Sequence, residues 1–145
     1  MDLINALGQG GFVAALCFAA MGSAFGTAIA GMGALGAWKR CYLNNKTAPF
    51  ILIAFVGAPL SQTIYGMILM NNLKTAGGAP LALFFAGTLG GIAIGLSAYL
   101  QGKAGALAAN ALTETNKGLG NYIMVLGIIE TVALFVMVLL MTAFK

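Results

Sequence analysis

The sequence predicts an all-α membrane protein with four transmembrane helices, arranged as two tandem, duplicated helical hairpins. Three observations carry that prediction. The first is composition: 61% of the 145 residues are apolar and 7% are charged, where a soluble domain carries about 25% charged residues. The second is the presence of four long apolar spans separated by short polar joints. The third is an internal repeat that relates the first pair of spans to the second.

Composition also excludes function classes. There is no His, and Cys17 and Cys41 form no CxxC pair, so a His/Cys metal site and a Ser-His-Asp triad are ruled out. Cys17 reads as a small packing residue and Cys41 as a loop residue. No GxxxxGK[ST] stretch occurs, so the chain hydrolyses no nucleotide itself and is not predicted to be an enzyme. The net charge of +4 does not mark a nucleic-acid surface, because its basic residues sit in the joints, where they set topology. Asp2 precedes any Lys or Arg, unlike the basic start of a signal peptide, so the first span is expected to stay in the mature chain.

The spans are predicted at 11–37, 48–71, 80–109 and 119–143. WKRCYLNNKT (38–47), NNLKTAGGAP (71–80) and LTETNKG (112–118) join them. Joints this short make neighbouring helices antiparallel. Lys39, Arg40 and Lys46 weight the first joint and Lys117 the third. The positive-inside rule then places loops 38–47 and 110–118 in the cytoplasm and both termini outside.

The first span carries Gly22, Gly26, Ala30, Gly33 and Ala37 at steps of three or four, which is one helix face. The third carries Gly87, Gly91, Gly95, Ala98, Gly102 and Ala106 in the same way. Such faces let backbones approach closely. They suit packing within one four-helix bundle, and equally the crowded inner wall of a ring.

GALGA (33–37) matches GKAGA (102–106) at an offset of 69, and SQT (61–63) matches IET (129–131) at an offset of 68. The chain therefore divides into a first hairpin, 1–73, and a second, 74–145. Gln62 stands in the first hairpin where Glu130 stands in the second.

The fourth span, LGNYIMVLGIIETVALFVMVLLMTA, holds one charged residue, Glu130. As a helix it is ~37 Å long, enough to cross a hydrocarbon core of ~30 Å. Glu130 falls near its middle, where a bare carboxylate costs ~3 kcal/mol or more. It must be protonated, paired or bound to a cation. Counting from the joints puts Gln62, Gln101 and Glu130 at one depth on three helices. Beside Gln62, GAPLSQTIYG (57–66) adds the hydroxyls of Ser61 and Thr63, and Tyr65 lies one turn after Gln62 on the same face. Pro59 has no N–H, which frees the carbonyl of Phe55. A hard monovalent cation takes such a set of oxygens. A proton needs only the carboxyl and one acceptor, so the oxygen count favours Na⁺ over H⁺. Lys103 lies ~200° around the helix from Gln101 and is expected to face away.

These motifs together resemble the proteolipid rotor component of V-type ATPases: P-L-S-Q-T-I-Y-G in the second span, L-Q-G-K in the third, I-I-E-T in the fourth. The resemblance covers nearly the whole chain and is to the bacterial and archaeal four-helix forms, known as the K or c proteolipid. It implies a homo-oligomeric ring in a prokaryotic plasma membrane, bathed in membrane lipid. It implies that Glu130 carries the ion past a stator subunit bearing an arginine, while the cytoplasmic loops grip central-stalk subunits. In the sodium-pumping members the ligands fall on Gln62, Gln101, the Ser61 hydroxyl and the backbone carbonyl of Ala58, with a gating tyrosine at Tyr65. The chain departs from those members at Ser61 and Leu60, where they carry Thr and Gly. The resemblance gives the Ala58 carbonyl where the missing N–H of Pro59 gives that of Phe55, so the two remain candidates. The rival reading is a small four-helix cation-coupled drug/proton antiporter. A structural four-span protein does not account for three polar groups at one depth.

Overall fold

In the computed structural model, which describes residues 2–144, the chain is four helices and no strand among the described residues. They are α1 (Leu3–Leu43), α2 (Leu52–Thr75), α3 (Pro80–Thr115) and α4 (Leu119–Ala143), each long and apolar enough to cross a membrane. The chain is an integral membrane protein.

The helix ends follow local chemistry. Asp2 caps α1 by accepting the Asn5 N–H at 2.9 Å, which satisfies one of the orphan donors of a first turn. α3 starts on Pro80, whose missing N–H costs nothing there. It stops at Asn116, which takes a left-handed φ of 53°, and Gly118 follows with φ 86° before α4 begins. Two left-handed residues in three turn the chain back on itself within residues 116–118.

Three joints are shorter than the sequence predicts. α1 runs to Leu43 and not to 37, α2 to Thr75 and not to 71, and α3 to Thr115 and not to 109. The segments WKRCYL, NLKT and NALTET hold no Gly or Pro, so nothing breaks the helix where the apolar pattern stops. Hydropathy marks where the apolar pattern stops, while backbone hydrogen bonding does not depend on that pattern. α2 conversely starts at Leu52 and not at 48, because Pro49 and Phe50 first make tight turns: Ile53 N–H donates to Phe50 O at 3.1 Å and Ala54 N–H to Ile51 O at 2.9 Å.

The cysteines also differ from expectation. Cys41 is no loop residue. It is buried in the last turn of α1, on the same stripe as Ala30, Ala34 and Ala37. Cys17 is exposed, in line with the outward Val13 and Met21 one turn to either side.

α1 and α3 run parallel along a seam of small residues. A Cβ added to Gly11, Gly22 or Gly26 would strike the backbone of α3 at Phe84, Gly95 or Ala98, and one added to Gly87 or Gly102 would strike Gly11 or Gly26. Only glycine permits that approach, so the small-residue faces are spent within the chain. α2 packs antiparallel on α1, with Gly66 against Ala19, and α4 packs antiparallel on α3. α2 and α4 also touch. Two apolar clusters result. One gathers Ala19, Leu69, Ile94, Ala133 and Met137. The other gathers Ala34, Leu52, Phe55, Ala109 and Leu126. A polar layer lies between them.

Candidate functional site

The polar layer is built from α2, α3 and α4. Pro59 interrupts α2, which passes from an α-helix (Leu52–Gly57) through a 3-10 turn (Ala58–Leu60) into a second α-helix (Ser61–Thr75). In the tighter turn the Ser61 N–H bonds to the carbonyl of Ala58. The Ser61 hydroxyl lies 3.0 Å from that same carbonyl and 3.1 Å from Gln62 Oε1. Its single proton serves one of them at a time.

From Gln62 the chain of bonds crosses to α3. Gln62 Nε2 donates to Gln101 Oε1 at 2.8 Å, and both glutamines have no exposed surface. Gln101 Nε2 then donates twice into α4, to the Leu126 carbonyl at 3.0 Å and to Glu130 Oε2 at 3.3 Å. Tyr65, back on α2, donates its hydroxyl to Glu130 Oε1 at 2.6 Å. Ala58, Ser61, Gln62, Gln101, Glu130 and Tyr65 thus form one connected group.

Glu130 is half-buried on the side of the group that faces outward. Its neighbours along α4, Ile128, Val132 and Phe135, are exposed apolar side chains. The one ion pair among the described residues is Arg40–Glu114, at 2.6 Å. Glu130 therefore has no basic partner among those residues to offset its charge. Neutral donors and acceptors surround it instead, and these can trade places with a proton or a small cation but cannot neutralise the carboxylate alone.

Other predicted residues fall outside the group. Thr63 makes no side-chain hydrogen bond to it. The Phe55 carbonyl faces Gly105 of α3, 3.0 Å from where a Cβ there would stand. Of the two candidate carbonyls, Ala58 is the one tied to the polar group. Lys103 is exposed, with its ammonium 5.0 Å from the Tyr99 ring centroid. That face-on cation–π contact keeps it on the outer surface, away from Glu130.

Sequence reasoning missed Ser97. It is buried, and its hydroxyl donates to the Ile129 carbonyl at 2.8 Å, beside Glu130. Its position one turn before Gln101 on the same face of α3 was the available signal. The bridge at the loop ends was missed too: Arg40 holds both Glu114 and the Asn110 side chain.

Residues 79–142 match the sequence model of a known family, the C subunit of ATP synthase. No curated protein matches the chain. The matched stretch contains α3 and nearly all of α4, and with them Ser97, Gln101 and Glu130. The second half of this membrane protein is thus similar to the ATP synthase C subunit, which supports reading the chain as a proteolipid of that kind.

Proposed function

We propose that the chain is the ion-carrying rotor proteolipid of a rotary ATPase, in the four-helix V-type form, and that Glu130 carries Na⁺. Copies assemble as a homo-oligomeric ring in a prokaryotic plasma membrane. α1 and α3 line its inside and Glu130 faces outward. At a stator subunit bearing an arginine, Glu130 releases its ion to one half-channel and takes another from the second. The loops after α1 and α3 face the cytoplasm and meet central-stalk subunits, and both termini lie outside. ATP hydrolysis belongs to other subunits.

One observation carries this reading. A lone acid midway along an apolar helix is tied, through neutral side chains only, to oxygens on two other helices. The match to the ATP synthase C subunit over 79–142 supports the rotor reading. The parallel course of α1 and α3 supports a duplicated hairpin, 1–73 and 74–145, in which Gln62 takes the place of a second carboxylate. The donor set supports Na⁺: Glu130 supplies the charge, and Gln62, Gln101, Ser61 and the Ala58 carbonyl supply neutral oxygens. Tyr65 closes over the carboxylate. The antiporter reading finds no support, since no acid lies within the apolar span of α1.

The test is carbodiimide labelling of Glu130 during a Na⁺ titration. Carbodiimide reacts with the neutral carboxylic acid, so Na⁺ at Glu130 slows labelling, and does so more at higher pH. Labelling unaffected by Na⁺ at every pH identifies a proton carrier and overturns the sodium assignment. A detergent-solubilised particle no larger than a dimer overturns the ring.

A further inference from the structure

We propose that Ser97 is a positioning residue for the ion site, holding α4 in register with α3 while Gln101 changes hydrogen-bond partners. The proposal rests on the reading of Glu130 as an ion carrier.

Hydroxyls in helices ordinarily return to their own backbone. Thr113 bonds Ala109 O, Thr115 bonds Ala111 O, Thr131 bonds Ile128 O and Thr142 bonds Leu139 O. Ser97 differs. Its hydroxyl crosses to another helix and takes the Ile129 carbonyl at 2.8 Å, at a site 5% exposed. Four residues on, Gln101 does the same to the Leu126 carbonyl at 3.0 Å. Two side chains one turn apart on α3 therefore stitch two carbonyls one turn apart on α4. Both stitches fall in the turn that leads into Glu130.

The two stitches are chemically unequal. Gln101 Nε2 is shared between Leu126 and Glu130, and Gln101 Oε1 accepts from Gln62. A cation at Glu130 takes oxygen from Gln101. An amide that turns its oxygen towards Glu130 turns its N–H groups away from the Leu126 carbonyl. Ser97 bonds none of the ion-facing atoms, so its stitch is indifferent to what Glu130 holds. When Gln101 rearranges, Ser97 supplies the remaining side-chain hydrogen bond from α3 to the α4 backbone. It then sets the height and rotation of Glu130 against Ser61, Gln62 and Tyr65. Removing it penalises the cation-bound arrangement, in which the Gln101 stitch is lost, more than the arrangement in which Gln101 holds Leu126.

The experiment uses the full chain in its native membrane. Glu130 labelling by carbodiimide is followed in Na⁺-free medium and across a Na⁺ titration. The variants are Ser97→Ala, Ser97→Thr, Gln101→Ala and the Ser97→Ala/Gln101→Ala pair. Ser97→Ala is expected to raise the Na⁺ concentration for half-protection by about 2- to 10-fold, the weight of one hydrogen bond. The Na⁺-free labelling rate should change less than about twofold, because Gln101 still holds Leu126 there. Ser97→Thr keeps the hydroxyl and should restore the midpoint. Ser97→Cys keeps the volume with a weaker donor, and it gives the same readings should Ser97→Ala fail to assemble. An unchanged midpoint in Ser97→Ala, or equal shifts in the Ala and Thr variants, overturns the proposal. Should Na⁺ give the wild type no protection, the sodium reading falls separately, and the double variant decides for Ser97. A Na⁺-free labelling rate altered well beyond the product of the two single effects upholds the paired stitches. A simple product overturns them.

Discussion

Tyr65 on α2 hydrogen-bonds Glu130 on α4 at 2.6 Å, so the carboxylate is capped from the one helix of the site that α4 does not follow in sequence. The contact ties the two hairpins together at mid-height. Removing the hydroxyl, as in Tyr65→Phe, takes away one hydrogen bond to a charged group, worth about 1.5–3 kcal/mol. Carbodiimide should then label Glu130 faster, because the carboxyl loses the side chain that covers it from α2. A stopped-time labelling assay on the two proteins checks this, and equal rates would show the hydroxyl to be idle.

Glu130→Gln should abolish ion transport and carbodiimide labelling together. Asp2 caps α1 and Glu114 pairs with Arg40 at the loop end, so neither replaces Glu130. Peptide mapping of the labelled protein locates the adduct. An adduct on Glu114 in the variant would show that the wrong carboxyl had been chosen.

Gln62→Ala and Gln101→Ala should each weaken Na⁺ protection by ~1–3 kcal/mol, about 5- to 150-fold, because each removes one neutral oxygen from a buried group. Protons need only the carboxyl, so labelling without Na⁺ should persist in both. On the proposed sodium reading Na⁺ and H⁺ compete for Glu130, so acidification should raise the Na⁺ needed for half-protection. A midpoint independent of pH in the wild type would separate the two ions.

Gly22→Val should destabilise the chain by roughly 1–3 kcal/mol or prevent its assembly, the usual cost of forcing atoms into a filled interior. The added side chain has no room against the Gly95 backbone. Gly36→Ala, with nothing within 4 Å of the new Cβ, should stay within about 0.5 kcal/mol. Thermal melts of the solubilised protein compare the two.

Arg40→Ala should cost under about 1 kcal/mol despite the short ion pair, because both side chains are largely exposed, at 47% and 61%, and water screens them. Melting temperatures at low and high salt should differ less in this variant than in the wild type.

How much of this could be read from sequence varies with the physics involved. Glu130 stands out because an acid inside an apolar run has a large cost that something must offset. Gln62 and Gln101 could be set beside it by counting from the joints, since antiparallel hairpins convert residue number into depth. Helix ends could not be read that way: Trp38 and Glu114 lie outside the apolar pattern yet inside α1 and α3. The choice between Phe55 and Ala58 was also hidden. Pro59 removes a donor, but the 3-10 turn that follows redistributes several bonds at once, and only the folded chain shows which carbonyl meets Ser61. Ser97 left only its place one turn before Gln101 as a mark, and that mark is weak, since a serine in a helix is ordinarily satisfied by its own backbone.

The seam between α1 and α3 has a mechanical consequence. Where side chains interdigitate, an interface can yield by rotamer changes, each a small spring. Along Gly11, Gly22 and Gly26 there are no side chains to flex, and main chain rests on main chain. Such a joint has little shear compliance. A load applied to one end of α1 would therefore be shared by α3 over the length of the seam, down to the depth of Glu130.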